Sequence, residues 1–355
     1  MASVTLDITI DDDFNSIQEV LEQIRPAWSW ADVKRKPFTT GITNKICGFY
    51  LHTDSKWDDM VLVRLYGRNT DTIIDRKAER RNMSLLNSVG AGPALYAVLN
   101  NGLAYGFVKG VTVDEKTVRE SPVRELIAGQ VAKMHTVDLS KYPEIDQSTP
   151  MIYTKVVHFL SCIPQPLSDP KKQKRLEEFG KSMTDLREEV NQMIDLAKKY
   201  AKSPCGFTHN DLLLENIIYN AEEGAVSFID YEYGAYNFLY FDIANHFAEY
   251  AGVEKPDHSL YPDREYMLEW LSTYFSAYSG GNNSSFTTSM LNDICTEVNF
   301  FSLWSHLLWG IWSIVQAENS SIDFDFMAFA TSRLGAYFDR KEEFISEIIK
   351  KVNGC

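Results

Sequence analysis

Apolar residues recur at helical spacing over 15–24 (Ile17, Val20, Leu21, Ile24) and Pro26 ends the run, so a short leading helix is expected, followed by Trp28 and Trp30 as anchors. From Lys36 the period changes. The segments 37–45, 46–53 (ICGFYLHT) and 60–67 (MVLVRLYG) are rich in β-branched and aromatic residues and are expected to be strands with a hairpin-like start, in which Gly41, Thr43 and Asn44 lie in the turn. A helix is expected over 75–87 (DRKAERRNMSLLN), then a hairpin of 94–98 and 103–108 around Asn100-Asn101-Gly102. Past Thr112 the pattern turns helical. Residues 123–136 carry Leu126, Ile127, Val131 and Met134 on one face, and 171–202 reads as one long amphipathic surface helix after a proline-rich loop at 161–168. The last third is helical throughout, with 300–316 (FFSLWSHLLWGIWSIVQ) as its most buried element.

Between these helical regions lies the stretch with candidate chemistry, FTHNDLLLENIIYN at 207–220. IIYN and AVSFI flank Ala221-Glu222-Glu223-Gly224 and read as a hairpin that brings Asp230 back beside Asn216. Asp211, Asn216 and Asp230 match the groups that phosphoryl transfer from Mg·ATP needs: an Asp for the acceptor hydroxyl, then an Asn and a second Asp for the metal. Arg64 is a charge in the middle of an apolar strand, costly unless paired, and Glu79 on the following helix is its expected partner. The turn holding Gly41, Thr43 and Asn44 suits phosphate through its backbone N–H groups. In a two-lobed kinase the hinge falls at 106–110, with the backbone from Gly106 and Phe107 onward facing adenine, dividing the chain into 1–110 and 111–355. Neither D-F-G nor A-P-E follows Asp230, which disfavours a kinase acting on Ser, Thr or Tyr of proteins. Asp242 is expected to brace the catalytic loop and not to touch substrate. The 90–95 segment lacks the third glycine of a dinucleotide fingerprint.

Composition narrows the classes further. With 355 residues, 45% of them hydrophobic, the chain has ample material for a packed core and for two lobes. A net charge of −14 argues against nucleic acid or an anionic membrane as partner. The cysteines form no C-x-x-C pair, which points to a reducing, cytoplasmic compartment. The N-terminus shows no signal peptide, and 300–315 is interrupted by serines and a histidine, so no stable membrane insertion is expected. A homodimer is left open.

The segments FTHNDLLLENIIYN, FIDYEYGAYNFLYFDIANHFAEYAGV, GITNK, VLVRLYG and SHLLWGIWSIVQAENSSIDFDF together resemble the choline/ethanolamine kinase family over residues 36–338, most closely its ethanolamine kinase branch. The resemblance implies an α+β, protein-kinase-like two-lobed fold with a small β-rich N-lobe and a larger helical C-lobe. It implies ATP and Mg²⁺ as cofactors, and transfer of the γ-phosphate to ethanolamine on the way to phosphatidylethanolamine. Carried over by motif, Asp211 is the base, Asn216 and Asp230 the Mg²⁺ ligands, and Arg64, Glu79 and the Gly41–Lys45 turn (Gly41, Thr43, Asn44, Lys45) the phosphate contacts. The acceptor site takes Glu249, Tyr233, Trp309, Trp312 and Phe329, besides Asp211. Thr208 stands where the family often has Cys.

Choline is the alternative acceptor. A primary ammonium donates three hydrogen bonds and a trimethylammonium none, so a site built on carboxylates rejects choline. Phe329 in place of the choline branch's Tyr, and Tyr250-Ala-Gly-Val253 after Glu249, favour ethanolamine. A catalytically dead kinase-fold scaffold would be expected to lack Asp211, Asn216 or Asp230, and all three are present.

Overall fold

Strands β1 (Val4–Thr5), β2 (Val33–Phe38), β3 (Lys45–Leu51), β4 (Val61–Leu65), β5 (Leu95–Leu99) and β6 (Gly102–Gly106) form one sheet in the order β1-β5-β6-β4-β3-β2. The computed structural model describes residues 4–38, 45–54, 57–66, 75–281, 286–320 and 322–353. Gly41, Thr43 and Asn44 lie outside the described residues.

All neighbours in this sheet are antiparallel except β1 and β5, a pairing the sequence pattern did not suggest because β1 is only two residues long. One face of the sheet packs on α1 (Ile17–Ile24), whose Ile17, Val20 and Leu21 join Phe49, Val61 and Val63 in one core. Helix α2 (Arg76–Ser88) starts where expected because Asp75 caps it, its carboxylate accepting the Lys77 and Ala78 N–H groups at 2.9 and 3.1 Å.

Strand β7 (Val111–Thr112) pairs with β9 (Ile217–Asn220), and β9 pairs with β10 (Ala225–Phe228) as the expected hairpin. The turn works because Gly224 adopts φ +58° and Asn220 Oδ1 accepts the Glu222 and Glu223 N–H groups. Gly110 (φ +132°) is equally constrained: a Cβ there would lie 2.4 Å from the Tyr219 carbonyl oxygen. Through the β7–β9 ladder, residues 217–234 group with 1–112 in one compact unit, while 113–216 and 235–355 form the other. The hairpin thus belongs to the first unit, where the division into 1–110 and 111–355 places it in the second. The return of the chain could not be read from linear order.

The second unit is mainly helical. Among the described residues a small sheet pairs β8 (Cys205–Thr208) with β11 (Ala235–Phe238), and around it lie helices α3 (Val123–His135), α4 (Met151–Ser161), α5 (Pro170–Glu178), α6 (Met183–Tyr200), α7 (Leu239–Ala248), α8 (Arg264–Tyr278), α9 (Thr288–Asn319) and α10 (Phe326–Asn353). The single helix expected over 171–202 is two. Gly180 takes φ +77°, and Ser182 and Asp185 form a capping box that starts α6 afresh. Helix α9 contains the expected buried stretch and is long and apolar enough to cross a membrane, but 89% of its most apolar window is buried within the protein. It packs on α7 and α10 as a core helix.

Candidate active site

In the first unit, Arg64 sits mid-strand in β4 at 5% exposure and meets the carboxylate of Glu79, the partner expected from α2. Burying a guanidinium is costly, and pairing with an equally buried carboxylate offsets that cost. Arg64 Nη1 also donates to Asp230 Oδ1 at 3.4 Å, while Arg76 Nη1 donates to the other Glu79 oxygen at 3.2 Å. Asp230 follows β10 with φ +64°, a left-handed conformation uncommon for a residue with a side chain.

Glu79, Asp230 and Glu232 each place one carboxylate oxygen within 4.8 Å of the others. Asp230 and Glu232 are hard oxygen donors of the kind Mg²⁺ takes, whereas the two Glu79 oxygens already face the Arg64 and Arg76 guanidinium groups. Glu232 was not singled out in the sequence; its position two residues after Asp230 was the available signal. Asn82, also overlooked, is fully buried on α2 and donates to the carbonyls of Tyr231 (3.1 Å) and Gly234 (2.6 Å). It fixes the segment after Asp230, in which Tyr233 lies buried.

The sheet end that was expected to face adenine is more constrained than the sequence suggested. The Gly106 N–H bonds Ala94 O at 2.9 Å and the Phe107 N–H bonds Met60 O at 3.1 Å, so only their carbonyls are left to meet a base. The Phe107 ring packs against Phe38 and Trp57. Lys45, at the start of β3, pairs with Asp12 at 3.1 Å on the surface.

In the second unit, the loop after β8 holds Asp211. Asp242, fully buried near the start of α7, accepts the N–H of His209 (2.9 Å) and of Asn210 (2.7 Å), so it braces this loop from behind. Its Oδ2 also meets His135 Nε2 at 3.0 Å, and His135 Nδ1 meets the Tyr274 hydroxyl at 2.8 Å. Burial alone would push the Asp242 carboxyl up. The hydrogen bond and charge of His135, the charge of His209 and the His209 N–H outweigh it and hold the carboxyl below its ordinary range.

Asn210 adopts φ +68°, and its Oδ1 accepts from Thr208 Oγ1 (2.9 Å) and Asn237 Nδ2 (2.8 Å), which pins the residue before Asp211. The Thr208 hydroxyl thus takes part in the loop's hydrogen bonding. Asn216 closes the loop, its Nδ2 donating to the Asp211 carbonyl at 2.9 Å and reaching Asp211 Oδ2 at 3.4 Å. Sequence reasoning missed His135, for which a His on the buried face of α3 was the available signal.

Further along this unit, Glu249 is 5% exposed and its Oε1 accepts from Arg333 Nη1 at 2.6 Å. Trp309 and Trp312 share one side of α9, with ring centroids 5.5 Å apart and planes at 81°. Trp309 Nε1 donates to Asn245 Oδ1 at 2.8 Å. Phe326 lies edge-on to Trp312 at 6.0 Å, and Phe329 is linked to Phe326 through Phe324. Arg333, Phe324 and Phe326 were not picked out in the sequence; Arg333 is disguised as one more charge on a terminal helix.

A braced Asp on a short loop, a buried Arg–Glu pair on a strand and helix, and an Asp after a hairpin are the parts of an ATP-dependent phosphotransferase. The model of the choline/ethanolamine kinase family matches residues 36–338. The chain belongs to the choline/ethanolamine kinase family. It is 40% identical to human ethanolamine kinase 1 over 326 residues, covering 91% of this chain and 71% of that protein. It is 42% identical to the ethanolamine kinase of Drosophila melanogaster over 298 residues, covering 83% and 57%. Among solved structures, it resembles the Plasmodium vivax ethanolamine kinase with a TM-score of 0.76 at 25% identity, over 92% of this chain and 89% of that one. A choline kinase from Cryptosporidium parvum shares the fold with a TM-score of 0.77 at 23% identity, over 96% and 98%. The expected α+β, protein-kinase-like fold is therefore the fold of this kinase family member, whose substrate is a small molecule and whose phosphate donor is ATP.

Proposed function

We propose that this chain transfers the ATP γ-phosphate to the hydroxyl of ethanolamine, giving phosphoethanolamine for phosphatidylethanolamine synthesis, with choline as the poorer acceptor. The observation that carries this reading is Glu249, a buried carboxylate with one oxygen taken by Arg333 and the other accepting from no described residue. A primary ammonium can donate to such an oxygen, and a trimethylammonium cannot. Trp309, Trp312, Phe329 and Tyr233 supply aromatic faces to the same small cation. The similarity to the human and fly ethanolamine kinases supports the same choice.

Asp211 orients the acceptor hydroxyl and takes its proton, and its loop is held in place by Asp242 and Asn216. Asn216, and Asp230 with Glu232 beside it, would hold Mg²⁺, which would supply positive charge against the ATP phosphates. Arg64, kept in line by Glu79, contacts phosphate, while Gly106 and Phe107 border the base through their carbonyls. Cys47, Cys162, Cys205 and Cys295 are free thiols, which suits a cytoplasmic setting.

The reading is tested by coupled detection of ADP release. Ethanolamine should stimulate release, and ethylamine, which lacks the hydroxyl, should not. Trp309→Ala should raise the KM for ethanolamine roughly 5–30-fold, as expected for losing a cation–π contact and an anchored indole, and leave the KM for ATP within about twofold. Equal effects on both constants would mean that the indole serves only packing.

A further inference from the structure

Glu249 and Trp309 are both expected to grip the amino alcohol, and the structure joins them by a continuous buried hydrogen-bond chain. Trp309 Nε1 donates to Asn245 Oδ1 at 2.8 Å, and Ser305 Oγ donates to the same oxygen at 2.7 Å. The Ser305 hydroxyl in turn accepts from Arg333 Nη2 at 2.7 Å, and Arg333 Nη1 donates to Glu249 Oε1 at 2.6 Å. Ser305 and Asn245 are fully buried, and Arg333 is 1% exposed. The chain crosses three elements: α7 with the turn that carries Glu249, then α9, then α10.

The direction of each bond follows from the donor inventory. An indole N–H and a guanidinium can only donate, and a carboxylate can only accept. Linking them therefore needs one group that accepts twice and one that both accepts and donates. Asn245 Oδ1 is the first and the Ser305 hydroxyl is the second. Asn245 keeps its Nδ2 buried with no partner among the described residues, so it is held here for its oxygen alone. Arg333 Nε is likewise buried without a partner, which shows that the guanidinium is placed by its two forked bonds to Ser305 and Glu249.

We propose that Ser305 is a positioning residue for the acceptor site: its hydroxyl couples Arg333 to Asn245 and so fixes the Glu249 carboxylate and the Trp309 indole relative to each other. This rests on the proposed role of that site in amino-alcohol binding. Ser305 touches no substrate. Its effect passes through the two groups at the ends of the chain, and it holds one Glu249 oxygen engaged so that the other is presented to the ammonium.

The test is Ser305→Ala, which removes one oxygen atom from a buried helix and is expected to fold. Two readouts are taken on the full chain. The KM for ethanolamine should rise about 10-fold or more, the loss typical of a charge-assisted hydrogen bond, with the KM for ATP within about twofold. The Trp309 indole N–H resonance, assigned by its absence in Trp309→Phe, should exchange with solvent at least about 10-fold faster as its acceptor loosens. An unchanged ethanolamine KM, or an equal rise in both constants, overturns the proposal. If the wild type proves to phosphorylate no amino alcohol, the substrate reading fails first and the indole exchange alone decides the coupling: faster exchange in Ser305→Ala upholds it, and an unchanged rate overturns it.

Discussion

Asp211→Asn should lower kcat by about 10²–10⁴-fold, the usual worth of a positioned general base, while the KM for ATP moves less than about threefold. The substitution keeps size and shape, and the loop's own supports do not depend on the lost charge. Asn216 bonds mainly to the Asp211 carbonyl, at 2.9 Å, and the preceding residues are held by Asp242 through the His209 and Asn210 amides. The expected pattern is a folded protein that binds ATP and turns over slowly. Steady-state kinetics on both substrates check it, and near-normal turnover would show that the loop has been assigned the wrong chemistry.

The second large effect falls on stability. Asp242→Ala should destabilise the protein by about 3–5 kcal/mol at neutral pH, because it removes a buried anion facing His135 and strands two buried amide donors. Those contacts are His209 N–H at 2.9 Å, Asn210 N–H at 2.7 Å and His135 Nε2 at 3.0 Å. The pH dependence has a definite sign. A carboxyl held below its ordinary value of 3.8 stabilises fully above that value, and the stabilisation is lost as pH falls through the lower folded value. Urea midpoints for wild type and variant should therefore differ by a constant amount near neutrality and converge in acid below 3.8. A difference that grows on acidification would contradict an ionised Asp242. Because the same carboxylate orients the loop that carries Asp211, kcat should fall as well.

Local patterns were legible where the cause is local. The Asp75 cap, the Gly224 turn and the apolar β4 strand follow from short-range rules, and the charge inside β4 points to Arg64 and its Glu79 partner. The bracing role of Asp242 was also readable, as an acid within an otherwise apolar run. What stayed hidden depends on residues far apart in sequence. Nothing local shows that Arg333 reaches Glu249, that Asn82 holds the carbonyls after Asp230, or that 217–234 joins the first unit through β7. The break between α5 and α6 was missed for another reason: the apolar period runs on across Gly180, and only the capping box at Ser182 marks the restart.

The central claim, phosphoryl transfer from ATP to a primary amino alcohol, is tested most directly by competition. The purified chain, with MgATP, ethanolamine and choline at equal concentration, is sampled at early times and the two phosphate esters are quantified by ³¹P NMR. Phosphoethanolamine should exceed phosphocholine by about 10-fold or more, since losing the ammonium's hydrogen bonds leaves a buried carboxylate oxygen unpaired. Phosphocholine in equal or greater amount would contradict the account.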